Sequence, residues 1–123
     1  MNRISNIVKI IDLLEAWYAR VKAEVARGFN AERRELLAFE RGIEMLRMKH
    51  NVGKHVNMRQ HPRPYLYYNK LVGRRLDNLW RLALGNDLRM IYTIVGDVRP
   101  GCICFVIDFL PHKAYNKIFG YEG

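Results

Sequence analysis

The chain has 123 residues, of which 50% are hydrophobic and 27% charged, and its formal net charge is +9. That balance fits one globular domain over residues 1–123 and excludes a disordered chain. The apolar runs are far shorter than a membrane span, and the first residues show no long apolar run or cleavage site, so a cytoplasmic protein is expected.

The positive excess is uneven. Residues 51–99 carry nine Lys/Arg against three Asp/Glu, residues 1–50 ten against seven, and residues 100–123 two against two. A basic middle segment suits phosphate backbones or an acidic protein partner.

In chain order, the β-branched cluster Ile4, Ile7, Val8, Ile10 and Ile11 fits a strand near 5–11, and its spacing also fits a helix start. The strand is the preferred reading, with Asp12 capping the helix after it. Leu14, Tyr18, Val21 and Val25 recur at helical spacing beside Trp17 and predict that helix over 13–27, stopped by Gly28. Leu36, Phe39, Ile43 and Leu46 mark a second helix over 31–49, with Asn30 as its N-cap. The short connection makes the two an antiparallel hairpin. The charges on its outer face, Arg33, Arg34, Glu35, Glu40, Arg41 and Glu44, read as a solvated surface.

Residues 51–77 are the least regular stretch. Pro62 and Pro64 punctuate it, and His55, Arg59, His61, Arg63, Lys70, Arg74 and Arg75 make it basic. Tyr65, Tyr67 and Tyr68 lie among these charges. Two readings stand: rings and cations that hold single-stranded RNA, or tyrosines that pack the segment onto a sheet. His50, His55 and His61 show no metal-ligand spacing and read as surface histidines. No metal or small-molecule cofactor is expected.

Strands near 79–84 and 88–95 flank the turn Gly85-Asn86-Asp87. A three-residue loop sets Leu84 opposite Leu88, Ala83 opposite Arg89 and Arg81 opposite Ile91. Arg81 and Arg89 then share one face as diagonal neighbours. Trp80, Leu82, Leu84, Leu88, Met90 and Tyr92 collect on the other as a core. A two-residue loop would split the arginines and mix the apolar set, because a one-residue slip flips every side chain. Two neighbouring arginines point either to a phosphate between them or to carboxylates such as Asp87 or Asp108.

The strand over 102–110 is apolar on both faces except for Asp108, as a covered central strand would be. Cys102 and Cys104 share a face about 7 Å apart, too far and too parallel for a disulfide, and read as core fillers. His112, Lys113 and Tyr115 follow at its carboxyl end. The predicted class is α+β: an N-terminal strand and a helical hairpin on a mainly antiparallel sheet, ending in a three-stranded meander and a short C-terminal helix.

This ordered set resembles the RelE/ParE superfamily of toxins from type II toxin–antitoxin systems. The region 78–121 carries most of the likeness: the hairpin with Arg81 and Arg89 about a glycine turn, the apolar strand, and the tail HKAYNKIFGY. That tail is most similar to a RelE-like branch familiar from archaea and some bacteria. The resemblance implies a ribosome-dependent endoribonuclease, an mRNA interferase, in which the ribose 2′-hydroxyl attacks its own 3′-phosphate without a metal. It implies that Arg89 contacts the scissile phosphate and that Arg81 is the basic residue of the preceding strand. His112 and Lys113 fall in the basic stretch after the last strand, and Tyr115 matches the tyrosine behind it. His112 is then the natural acid or base, and Tyr115 orients RNA or stacks on a base. Lys70, Arg74 and Arg75 would add RNA contacts. The implied partners are a cognate antitoxin protein, the ribosome and mRNA. Ala83 departs from the pattern, since well-studied members keep a lysine there. Two alternatives share the fold: a ParE-like inhibitor of DNA gyrase that cuts nothing, and an inactive relative that binds RNA or protein.

Overall fold

A computed structural model describes residues 5–85, 87–96 and 101–120. In chain order it forms β1 (Ile7–Ile10), α1 (Asp12–Ala26), α2 (Arg33–Met48), β2 (Lys54–His55), α3 (Pro62–Val72), β3 (Trp80–Leu84), β4 (Leu88–Val95), β5 (Ile103–Pro111) and α4 (His112–Phe119). One five-stranded sheet has the order β1-β5-β4-β3-β2. The meander β3-β4-β5 and the short β2 are antiparallel, and β1 runs parallel to β5 at the edge. The class is α+β, as the sequence predicts.

The α1–α2 hairpin covers one face of the sheet. Phe39, Ile43 and Leu46 of α2 pack there on Leu82, Leu84, Leu88, Met90, Tyr92, Cys104 and Val106, with Trp17 and Tyr18 of α1 alongside. Trp17 Nε1 donates to Glu32 at 2.9 Å and Tyr18 Oη to Glu40 at 2.8 Å, which ties the two helices together. Gly42 marks their close approach to the sheet: a Cβ there would lie 2.7 Å from Met90 Cε. Both cysteines are buried and free, and burial pushes the Cys104 thiol up to about 12.

Two capping expectations change. The first helix begins at Asp12, so Asp12 sits in its first turn, where its charge suits the helix dipole, and Ile11 is the N-cap. The second begins at Arg33, and Glu32 rather than Asn30 is its N-cap, without a side-chain cap bond. Asn30 instead offers its backbone carbonyl to the amide of Arg33 at 3.2 Å.

The larger correction is α3. Residues 62–72 are helical, not irregular. Pro62 and Pro64 both fall in the first turn, where an amide proton has no helical acceptor, so neither interrupts the helix. Tyr65, Tyr68 and Val72 form its apolar stripe. With α4 it covers the second face of the sheet, over Leu79, Ile91, Ile107 and Leu110. Packing is therefore the role of Tyr65 and Tyr68, and their hydroxyls are used internally: Tyr65 donates to the Val56 carbonyl at 2.8 Å and Tyr68 to Asp108 Oδ2 at 2.7 Å. Tyr67 stays exposed.

A bulge in β5 sets which residues reach this second face. Ile91 pairs with Asp108 but Tyr92 pairs with Val106, leaving Ile107 as the extra residue. Past the bulge the alternation is reversed. Asp108 and Leu110 thereby join Arg81, Ile91 and Arg89 on one face, while Phe109 turns to the α1–α2 side.

Burial raises the Asp108 carboxyl above its ordinary value, against the lowering effect of the Tyr68 hydroxyl. A carboxyl with a raised folded-state pKa makes the fold more stable in acid, and that contribution is lost as pH rises through the folded-state value. Asp108→Asn, which keeps an acceptor for Tyr68, should therefore gain stability relative to wild type between pH 4 and pH 7. Urea unfolding at the two pH values checks this; a gap that is constant with pH would contradict it.

Candidate functional site

The β3–β4 hairpin has the register that the face pattern demands. Leu84 pairs with Leu88, Ala83 with Arg89 and Arg81 with Ile91. Asn86, at the centre of the turn, lies outside the described residues. Arg81 and Arg89 project from the second face, just beyond the area that α3 and α4 cover. The antiparallel return of β5 sets Pro111 opposite Leu88, so His112 arrives beside Arg89. A hydrogen bond from the His112 amide to the Asp87 carbonyl, 2.6 Å long, fixes the start of α4 to the hairpin turn.

These side chains line one open cleft of about 760 Å³, together with Lys54 and Asn116. Arg89 Nη2 lies 3.4 Å from His112 Nδ1. Arg81 donates from Nη1 to the Tyr115 hydroxyl. Both guanidinium carbons stand over the Tyr115 ring, at 6.0 Å for Arg81 and 5.6 Å for Arg89. His112 stacks near the same ring at 6.2 Å, and Phe119 backs it at 4.3 Å. Tyr115 is only 4% exposed. It offers no free face to a base; its ring is instead the floor on which both arginines and His112 rest.

The two carboxylates expected near the arginines are engaged elsewhere. Asp87 forms an ion pair with Arg34 of α2, which holds its carboxyl below the usual range, with a lesser effect from Arg89. Both side chains are mostly exposed, so the pair sits on the solvated surface that the sequence predicts for Arg34. Asp108 accepts from Tyr68 and, at 2.9 Å, from the Phe109 amide.

Donor nitrogens face both ring nitrogens of His112, Arg89 at Nδ1 and Asn116 at Nε2. A guanidinium can only donate, so a hydrogen bond from Arg89 to neutral His112 has Nδ1 as acceptor and the proton on Nε2. Asn116 Nδ2 stands 3.2 Å from Nε2. Rotating that amide by half a turn exchanges its nitrogen and oxygen and lets the oxygen accept the Nε2 proton.

Arg81, Arg89, His112 and Tyr115 therefore converge. Lys113 does not join them: it is exposed in the first turn of α4 and does not line the cleft. Lys70 is exposed in the last turn of α3. Arg74 and Arg75 line a separate cleft at the other end of β3. Two cleft residues escape sequence reasoning. Lys54 enters from β2, a two-residue strand too short to leave a periodic pattern, by pairing with Arg81. Gly53 before it has no room for a side chain, since a Cβ would lie 2.6 Å from the Arg81 carbonyl oxygen. Asn116 could have been found, as it stands one helical turn after His112. Among the described residues no three His, Cys, Asp or Glu side chains gather as metal ligands, and no helix is long and apolar enough to cross a membrane.

No protein-family model, curated protein or solved structure matches this chain significantly.

Proposed function

We propose that this chain is a RelE-like toxin of a type II toxin–antitoxin system, a cytoplasmic endoribonuclease that cuts mRNA on the ribosome and is silenced by a cognate antitoxin. The observation that carries the reading is the convergence of Arg81, Arg89, His112 and Lys54 on one cleft over a buried tyrosine. Cleavage by this route needs positive charge at the phosphorane and a group that moves protons at the 2′ and 5′ oxygens. Arg89 and Arg81 supply the first. His112 supplies the second. In the free protein Arg89 Nη2 lies against His112 Nδ1. A phosphate entering the cleft draws the guanidinium to itself and leaves Nδ1 open to take the 2′-hydroxyl proton. The 2′ oxygen then bonds to phosphorus as the bond to the 5′ oxygen breaks, and protonated His112 returns its proton to the leaving 5′ oxygen. The products are a 2′,3′-cyclic phosphate and a 5′-hydroxyl.

Expression of the chain alone should arrest translation and growth. Ribosome-bound mRNA should be cut to fragments with cyclic-phosphate and 5′-hydroxyl ends, and chelator should not prevent the cutting. Fragments with 5′-phosphate ends, or no cutting at all by folded protein on ribosomes, would remove this reading. One observation favours a second: Ala83 leaves the first hairpin strand without its lysine, and Arg81 is engaged by Tyr115. A relative that binds RNA in the cleft without cutting it would bind ribosomes and yield no fragments.

A further inference from the structure

We infer that the cleft at the opposite end of β3 is a second RNA subsite, one that holds a splayed base and its neighbouring phosphates. This rests on the proposed function only in taking single-stranded RNA as the partner. The cleft measures about 560 Å³ and is lined by His50, His55, Arg74, Arg75, Asn78 and Trp80, with Asp77 as its one acid among the described residues.

Two features make it suit a nucleotide. The first is an aromatic row built by strand pairing. His55 pairs with Trp80 across β2–β3, and Trp80 with Tyr92 across β3–β4. The His55 and Trp80 rings meet edge to face at 5.2 Å, and Trp80 stacks on Tyr92 at 6.1 Å. The inner end of the row is rigid: Tyr92 is fully buried, donates to the His50 carbonyl at 2.8 Å and accepts from the Gly53 amide at 3.1 Å. The outer end, His55, is exposed, so a base can extend the row against the His55–Trp80 pair.

The second feature is a pair of cations on an anchored backbone. Arg74 and Arg75 follow the left-handed Gly73 that ends α3, and both are exposed. Their backbone is held on either side, by Arg74 N to the Asn69 carbonyl at 3.1 Å and by Leu76 N to Asn69 Oδ1 at 2.7 Å. Among the described residues neither makes an ion pair. Asp77 does not neutralise them through an ion pair; it accepts from Asn78 Nδ2 at 2.8 Å. Guanidinium groups on an anchored segment beside stacked rings match the alternation of phosphate and base in a single strand. A duplex keeps its bases stacked inside and cannot use the rings.

The two clefts are neighbours across β2. Lys54 faces the first and His55 the second, because adjacent strand residues point to opposite faces. A strand leaving the arginine–histidine cleft past the edge of β2 meets the aromatic row next. The second cleft thus grips RNA just beyond the segment held in the first.

The test uses a Trp17→Phe chain, which leaves Trp80 as the sole indole, since the chain has two tryptophans. The ligand is a short 2′-O-methyl oligouridylate, whose blocked 2′ oxygen cannot attack phosphorus. Titration should quench Trp80 fluorescence saturably. Anisotropy of the labelled oligonucleotide should show about tenfold weaker binding for Arg74→Ala/Arg75→Ala. The salt slope of that double variant should fall by about 1.4, from about 0.7 for each single-strand phosphate contact. Arg89→Ala should weaken binding but keep the full quench at saturation. The subsite is overturned if the oligonucleotide binds without quenching Trp80, or if the salt slope is unchanged in the double variant. It is equally overturned if a duplex quenches as strongly, or if polyglutamate does, which would assign the cleft to an acidic protein. Cleavage of unmethylated RNA is scored separately. Loss of cleavage with the quench intact removes the nuclease reading and leaves this subsite standing; loss of the quench with cleavage intact does the reverse.

Discussion

Arg89→Ala should lower RNA cleavage by about a hundred- to a thousandfold, the usual effect of losing one preorganised group that stabilises developing charge. It should do so without unfolding the protein. Arg89 is half-buried; it donates to the carbonyls of Leu88 at 2.9 Å and Gly85 at 3.3 Å, both at the edge of the hairpin turn, and faces His112 Nδ1 at 3.4 Å. Its cross-strand neighbours are Ala83 and Leu110, so truncation removes a charge rather than a piece of either core. Arg89→Lys should recover only part of the activity, because an ammonium keeps the charge but loses the planar fork that matches two phosphate oxygens. The measurement is single-turnover cutting of ribosome-bound mRNA, with growth arrest on expression as the cellular counterpart. A soluble Arg89→Ala protein that cuts and arrests as strongly as wild type would show that Arg89 has no part in the chemistry.

The β3–β4 hairpin is legible in the sequence because two constraints coincide there. Only a three-residue loop puts Leu82, Leu84, Leu88 and Met90 on one face, and the same loop puts Arg81 and Arg89 together on the other. The α1–α2 hairpin is equally legible, since Leu36, Phe39, Ile43 and Leu46 repeat at the spacing of a one-sided helix. The hidden parts depend on less local causes. Pro62 and Pro64 look like breakers until the helix start is placed beneath them. The stripe Tyr65, Tyr68 and Val72 is the signal for α3, and the exposed apolar residues Leu66, Tyr67 and Leu71 between blur it. The bulge at Ile107 leaves no trace in composition, because Ile107 and Leu110 are apolar on either assignment of faces. Yet the bulge decides that Asp108 lies with the arginines. Lys54 reaches the cleft by pairing with Arg81, a contact set by tertiary structure alone. The burial of Tyr115 follows from α4 lying flat on β4 and β5, and sequence cannot separate a buried tyrosine there from one that offers its ring to RNA.

The hydroxyl and the ring of Tyr115 have separable roles. If Tyr115 stacked directly on a base, Tyr115→Phe would keep the ring and most of the activity. The structure gives the hydroxyl a different task, since it accepts from Arg81 while the ring supports both guanidinium groups and His112. Tyr115→Phe should therefore cut about tenfold more slowly, with kcat falling and KM nearly unchanged, because Arg81 loses its orientation while phosphate charge attraction remains. The stability cost should be about 1 kcal/mol, the usual net worth of one hydrogen bond. Tyr115→Ala is a different experiment. It empties a site between Phe119, His112 and the sheet and should cost about 3–5 kcal/mol, as for other large aromatic-to-alanine changes in a core. Urea unfolding of both variants, alongside kcat and KM for the phenylalanine variant, separates the two roles. A Tyr115→Phe protein with wild-type kcat, or one whose defect lies wholly in KM, would mean that the hydroxyl does not position Arg81 for the reaction.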